Sequence, residues 1–230
     1  MGIKDKTIKL IERQLTKKAQ VLEARPWQGG TFYEVDVCVP EADLCGLNGV
    51  AHLKCRVAPL TFRDYTIAQW DEETKTCTLF VDAAHDGVGS AWVKLLNQHD
   101  EINYLKIEKH RYPLKEKGRY LFLGDQSTVG HFLALRQLIG KNAVVNGSLV
   151  IPNPAHRNEL AAYYPNFGLE PVALEGTPSA TLKGWLSGRP WLSYDFIFLA
   201  GNAGMVVEIR HYLRNCGVSG GTIKAQGFWR

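Results

Sequence analysis

Between residues 19 and 112 apolar and polar residues alternate in short runs, the period of a strand with one face in a core. The runs are "FYEVDVCV" (32–39), "AHLKCRV" (51–57), "TFRDYTIAQW" (61–70), "CTLFVDA" (77–83) and "EINYLKIE" (101–108), rich in β-branched and aromatic residues. The turn signals "QGG", "CGLNG" and "WDEETK" separate them. Five or six strands at this spacing predict a closed antiparallel barrel or a sandwich. One helical stretch, "SAWVKLLNQ" (90–98), interrupts them. After "YPLKEKG" (112–118) the period changes. Strands are predicted over 119–124, 142–151, 169–174, 194–201 and 222–229, and helices over 128–140, 155–164, 181–187 and 205–215. Strand–helix alternation predicts a parallel sheet with helices on both faces, right-handed crossovers and a ligand at the carboxyl ends of the strands. The expected division is a β domain over residues 1–115 and an α/β domain over 116–230.

Ahead of the strands, Ile3, Thr7, Leu10 and Ile11 form an apolar stripe, so residues 3–16 read as a short amphipathic helix. Lys4, Lys6, Lys9, Arg13, Lys17 and Lys18 make this start basic. Such a helix touches a membrane or an acidic partner, or is the solvated face of a helix packed on its own domain.

Composition narrows the class. With 45% hydrophobic and 22% charged residues the chain reads as a soluble globular protein. No apolar run approaches the roughly 20 residues that span a bilayer. The first residues lack a signal peptide's apolar core, and Lys6 stands where a myristoylation motif needs Ser or Thr, so a cytoplasmic location is expected. Five cysteines without a C-x-x-C pair indicate free thiols in a reducing compartment, with neither a disulfide framework nor a zinc site. The seven histidines show no metal-binding spacing. A net charge of +4 suits anionic ligands such as nucleotides without pointing to nucleic acid.

Candidate chemistry begins with "FRDYTI" (62–67). On a strand Arg63, Tyr65 and Ile67 share a face, with the guanidinium and the phenol ring roughly 7 Å apart. This is a solvated strand face, or half of a site for a ligand with an anion and a flat ring. Three strand exits then offer backbone amides to anions. In "HDGVGSAW" (85–92) two glycines allow a tight turn and Ser90 stands as a helix N-cap. In "LGDQSTVGHF" (123–132) a buried strand ends at Gly124 and "DQST" caps a helix, where a parallel sheet would hold a pyrophosphate. In "LAGNAGMV" (199–206) small residues again leave a strand for a helix. None is the full G-x-G-x-x-G fingerprint, and each alone is also ordinary strand–helix punctuation.

As an ordered set these motifs resemble the siderophore-interacting proteins, FAD-dependent ferric-siderophore reductases of the ferredoxin-reductase-like superfamily. "RDYT" (63–66) is similar to the flavin motif R-x-Y-[ST], and "AHLKC" (51–55) to an H-[VL]-K strand. "HDGVGSAW", "LGDQST", "LAGNAG" and the terminal "AQGFWR" follow in the family's order. The resemblance implies a six-stranded antiparallel flavin barrel, then a five-stranded NAD(P)-binding domain. It implies that Arg63 pairs with the FAD pyrophosphate, Tyr65 stacks on the isoalloxazine, and Thr66, with Ile67 beside it, lies near the hydride-accepting nitrogen. An ideal strand points Thr66 away from Tyr65, so a twist or a backbone contact is required there. His85, Gly87, Gly89, Ser90 and Ala91 would form the diphosphate turn, and Gly124, Asp125, Gln126, Ser127 and Thr128 would receive the NADPH or NADH pyrophosphate. Trp229 would close over the flavin.

The implied reaction passes electrons from NAD(P)H through FAD to a ferric siderophore, with Tyr65 and Thr66 beside the reacting ring and no resident metal. Lys109, His110 and Arg111 form a cluster that docks an anionic chelate or is a solvated strand end. His156 and Arg157 follow the second sheet strand, where a 2′-phosphate is read, or are first-turn helix residues. Two departures stand out. Ala68, Gln69 and Trp70 occupy positions where the family often has a second arginine, and Asn202 replaces a usual glutamate. The alternatives are a related reductase working with ferredoxin or another acceptor, and a flavin- or nucleotide-binding module without turnover. A monomer is expected.

Overall fold

The computed structural model describes residues 15–115 and 117–229. The expected helix over 3–16 lies outside them apart from Leu15 and Thr16. The described chain divides into two compact units, with the boundary between Tyr112 and Pro113. No helix among the described residues is long and apolar enough to cross a membrane.

The first unit is a closed six-stranded antiparallel barrel. Its strands are β1 (Lys17–Pro26), β2 (Phe32–Cys38), β3 (Val50–Ala58), β4 (Thr61–Asp71), β5 (Thr76–Asp82) and β6 (Glu101–His110), in the order β1-β2-β5-β4-β3-β6. β1, "KKAQVLEARP", is the strand the alternation marks least clearly, because charged residues crowd both its faces. It is held by pairing to β2 and β6, which closes the barrel and leaves no free edge. Val21, Val35, Leu53, Ile67 and Leu79 fill the interior and are fully buried, each worth about 1.5–3 kcal/mol of transfer free energy. Register shifts bend the strands. The one between Ile67 and Gln69 lets both Ile67 and Trp70 pack on the core, although strict alternation would separate them.

The helical interruption is shorter than expected. The helix α1 runs only over Val88–Val93. Beyond it the Asn97 side chain donates to Leu95 O at 3.0 Å and the Asn97 N–H to Asp100 Oδ2 at 2.7 Å. His99 sits at φ +71. These side-chain bonds offer the backbone a turn instead of a further helical turn.

The second unit is a five-stranded parallel sheet in the order β11-β10-β7-β8-β9. The strands are β7 (Arg119–Asp125), β8 (Val144–Val150), β9 (Glu170–Val172), β10 (Phe196–Asn202) and β11 (Ile223–Trp229). The helices are α2 (Val129–Leu138), α3 (Pro154–Tyr163), α4 (Pro178–Leu186) and α5 (Ala203–Asn215). β7 and β10 are central and read as unbroken apolar runs, as strands covered on both faces must. Pro154 and Pro178 stand in the first turns of α3 and α4, where a missing N–H costs nothing, and start those helices one and three residues earlier than predicted.

On the barrel, His52 lies on the opposite side of β3 from Ala51, Leu53 and Cys55 and yet is only 6% exposed. Thr66 and Glu108 are its cross-strand partners, and the His110 ring meets it edge-on at 5.4 Å. Burial first, then the neighbouring His110, pushes its imidazole down to about 4. The ring is therefore neutral in the folded protein, while an unfolded chain protonates near 6.5. The sign follows: stability is fully present above pH of about 6.5 and falls by at most about 3 kcal/mol as the pH drops towards 4. Urea denaturation between pH 7 and 4 should show this loss, and His52→Gln should flatten it; an unchanged slope in the variant would exclude His52 as the source.

Candidate functional site

β4 sets the first half of the site. Tyr65 and Ile67 both pack towards the barrel core, and Arg63 shares their parity. Asp64, on the other side, pairs with Lys54 of β3 at 2.9 Å. Ile67, expected beside Thr66 near the ring system, is fully buried, so its backbone is the part open to a ligand. Arg63 is exposed, and among the described residues its guanidinium makes one hydrogen bond, from Nη1 to Phe62 O at 2.9 Å. Most of its fork is left for an anion. Thr66 stays on the face away from Tyr65: it pairs with His52, and the register shift begins only after Ile67, too late to turn it.

Two residues of α1 meet this face. Gly89 lies so close that a Cβ there would come within 2.6 Å of the Tyr65 hydroxyl and 3.8 Å of Arg63 Cγ. Trp92 stacks on the Tyr65 ring, centroids 5.5 Å apart and planes 12° from parallel. The cap position belongs to Gly87, not to Ser90. Gly87 is extended without a side-chain cap, its carbonyl accepts from Ala91 N–H at 2.9 Å, and Ser90 is buried inside the helix. Nothing lies within 4 Å of a Cβ built on Gly87, so the backbone there is open to approach. His85 is exposed, with Nε2 4.0 Å from Asp82 Oδ2. Burial holds the Tyr65 hydroxyl far above its ordinary pKa, which keeps it protonated.

On the second unit β7 pairs with both β8 and β10, so the strand order reverses at β7 and the exits of β7 and β10 lie side by side. Asp125 joins them. Ser127 N–H and Oγ–H donate to its Oδ1 at 3.0 and 2.5 Å, and Asn202 N–H donates to Oδ2 at 2.7 Å. Ser127 Oγ also accepts from Trp229 Nε1 at 3.2 Å, which adds the end of β11. Thr128 Oγ1 donates to Asp125 O at 2.7 Å. Gly124 must be bare, because a Cβ would collide with Thr128 Oγ1 and come within 2.9 Å of Phe132. Asn202 caps α5 by accepting from Met205 N–H at 3.0 Å. The Ser127 amide, one of those expected at a pyrophosphate, is thus already engaged by a carboxylate.

His156 is fully buried, with Nδ1 2.9 Å from Gln126 Oε1, and so does not stand where a phosphate could be read. Arg157 donates from Nη1 to Ile151 O at 2.6 Å and to Pro152 O at 3.0 Å, at the exit of β8. Lys109, His110 and Arg111 are all exposed at the end of β6. Sequence reasoning named Asp125 only as a residue of the pyrophosphate turn, and foresaw neither its bond to Asn202 nor the stacking of Trp92 on Tyr65. The signal for Trp92 was its place two residues after Ser90 on the turn, but its partner Tyr65 lies on another strand.

A closed six-stranded barrel with a short helix whose Gly89 and Trp92 meet its Arg–Tyr strand, followed by a doubly wound five-stranded sheet, is the ferredoxin-reductase-like fold. Within that class, a siderophore-interacting protein from Acinetobacter baumannii is similar at 12% identity with a TM-score of 0.77, over 94% of this chain and 90% of that one. The siderophore-interacting protein from Aeromonas hydrophila matches at 17% identity with a TM-score of 0.74, over 94% and 91%. A ferredoxin NADP+ reductase from Neisseria gonorrhoeae, with bound FAD and NADP, matches at 16% identity with a TM-score of 0.67, over 94% and 99%. No protein-family model and no curated protein matches the sequence. At these identities the likeness establishes the fold.

The Gly89–Tyr65 contact gives a direct test. Tyr65 cannot swing aside while it is stacked on Trp92, so Gly89→Ala should cost about 1–3 kcal/mol in denaturation. In a Tyr65→Phe background the clashing atom is gone, and the same alanine should be neutral or stabilising. Equal costs in both backgrounds would show that the contact does not govern the turn.

Proposed function

We propose that the protein is an FAD-dependent reductase that passes electrons from NAD(P)H to a ferric siderophore and so loosens the chelate's hold on iron. The observation that carries this reading is the meeting of Arg63, Tyr65, Gly89 and Trp92 on one face: an anion fork, a neutral ring backed by an indole, and a turn with open backbone. That set fits a ligand with both phosphates and a flat ring system, as FAD has. Bound FAD supplies the change from a two-electron donor to a one-electron acceptor. Arg63 binds the pyrophosphate, where its planar fork suits two phosphate oxygens. Tyr65 orients the ring system and keeps water from one face, with Trp92 holding Tyr65 in place.

Gly124 to Thr128 and Asn202 mark the carboxyl ends where a sheet of this order takes its ligand, and they are the proposed seat of the nicotinamide nucleotide. With the Ser127 amide engaged, its diphosphate rests on other donors of these exits. Arg157, still carrying donors beyond Nη1, is the proposed reader of a 2′-phosphate. Lys109 and Arg111 offer positive charge to an anionic chelate, with His110 between them as a hydrogen-bonding ring. No acid–base pair is needed, since the chain's residues bind and orient. The names of the similar solved structures support both this reading and a second one, in which the electron partner is a ferredoxin.

Anaerobic mixing of the flavin-loaded protein with NADPH or NADH should bleach the flavin, and a ferric hydroxamate or catecholate should restore its colour. Bleaching without reoxidation by ferric chelates, but with reoxidation by ferredoxin, would favour the second reading. Failure of both nucleotides to bleach the flavin would discard the first. Arg157→Ala should weaken NADPH about tenfold while leaving NADH unchanged; equal NADPH kinetics would remove Arg157 from the site.

A further inference from the structure

Beside α4, towards the amino ends of the sheet strands, lies a cleft of about 310 Å³. Its floor is Leu121 of β7 and the bare backbone of Gly147 in β8. Leu121 precedes Asp125 by four residues, so this cleft is about 13 Å along the strand from the exits described above, at the opposite end of the sheet. The floor has to stay bare: a Cβ at Gly147 would collide with the Phe122 backbone, and one at Gly168 would meet Val145 O at 3.1 Å. Trp185, Trp191 and Tyr194 wall the cleft, and Asn146, Glu170 and Arg189 form its polar rim.

The hydrogen bonds define what the cleft still offers. Trp185 Nε1 donates to Glu170 Oε2 at 2.7 Å, and Trp191 Nε1 to Leu186 O at 3.0 Å. Both indole N–H groups are therefore spent, and what the indoles offer is ring surface, one face of Trp185 being covered by Arg189. Arg189 also donates to Glu170 Oε2, at 3.2 Å, and lies 4.3 Å over the Trp185 ring. The two rim charges thus cancel, and a charged ligand gains little from them. Asn146 Nδ2 donates to the Tyr194 hydroxyl at 3.1 Å. That bond leaves Asn146 Oδ1 as an acceptor at the rim and the Tyr194 hydroxyl proton as a donor. A purely hydrocarbon ligand would desolvate both groups without replacing their bonds with water.

We propose that this cleft is a binding site for a neutral hydroxylated aromatic ring. The ring lies against the tryptophan surfaces, one hydroxyl donates to Asn146 Oδ1, and another accepts from Tyr194. The volume is at the lower end of small-molecule sites, which suits one ring and its substituents. The site is separate from the proposed reductase chemistry and does not depend on it.

Resorcinol is a suitable probe, titrated into the flavin-loaded protein by calorimetry and by NMR of the indole N–H groups. Saturable one-site binding is expected, with the Trp185 and Trp191 signals moving together and the Trp92 signal still. Saturating NADP+ should not compete. Asn146→Leu, at an exposed position, should weaken binding about five- to tenfold, as should replacing the probe by 1,3-dimethoxybenzene. No saturation up to about 10 mM, a Kd unchanged in both Asn146→Leu and Trp185→Leu, or displacement by NADP+ would overturn the proposal.

Discussion

The bare Cα of Gly89 against the Tyr65 hydroxyl is the contact on which the first unit's candidate site depends. For Trp92 to reach the Tyr65 ring, the start of this short helix has to come close to β4, and it can do so only if the second residue of the helix carries no side chain. The aromatic pair then contributes about 0.5–1.5 kcal/mol beyond its burial, and it fixes the orientation of the phenol. Arg63 follows from the same parity of β4, two residues earlier. Thus one glycine, one helix and one strand place an anion fork and a ring platform side by side.

A different constraint organises the second unit. The helices that follow parallel strands begin with unpaired amides at the carboxyl edge of the sheet, which a side-chain cap, water or a bound anion satisfies. Here the carboxylate of Asp125 serves as the cap: it takes hydrogen bonds from its own turn and from the exit of β10, and through Ser127 it connects to Trp229 on β11. Three strands are tied at the point where the sheet order reverses. Gly201, at φ +119, lets the two exits approach, since a Cβ there would lie 2.5 Å from the Asp125 carboxylate. The amides that remain are fewer than the sequence motif suggests, which narrows where a diphosphate can rest.

Much of this was legible in the sequence. Alternation of period two marked β2 to β6, and unbroken apolar runs marked β7 and β10, because those patterns record burial on one face or two. β1 was hidden by its many charges, since Arg25 is used on the barrel surface to bind Glu23, Glu34 and Asp36. The length of α1 and the cap at Gly87 were misjudged because Asn97 and Ser90 have two uses each, and only tertiary packing decides between them. Arg63 and Tyr65 were visible as an odd pair on one strand face. The stacking of Trp92, the burial of His156 against Gln126 and the bond from Asp125 to Asn202 join residues 27, 30 and 77 positions apart, and no local pattern carries such information.

The central claim is that the Arg63–Tyr65 face of β4 holds the flavin. Its most direct measurement is the affinity for FAD of the flavin-free protein beside its Arg63→Ala and Asp64→Ala variants. Asp64 is the neighbouring charge on the opposite face, paired with Lys54. The account predicts that Arg63→Ala weakens binding about 10- to 100-fold, the worth of a charged hydrogen-bonded contact, while Asp64→Ala stays within about threefold. A larger loss in Asp64→Ala than in Arg63→Ala, or no FAD binding by the unaltered protein, would contradict it.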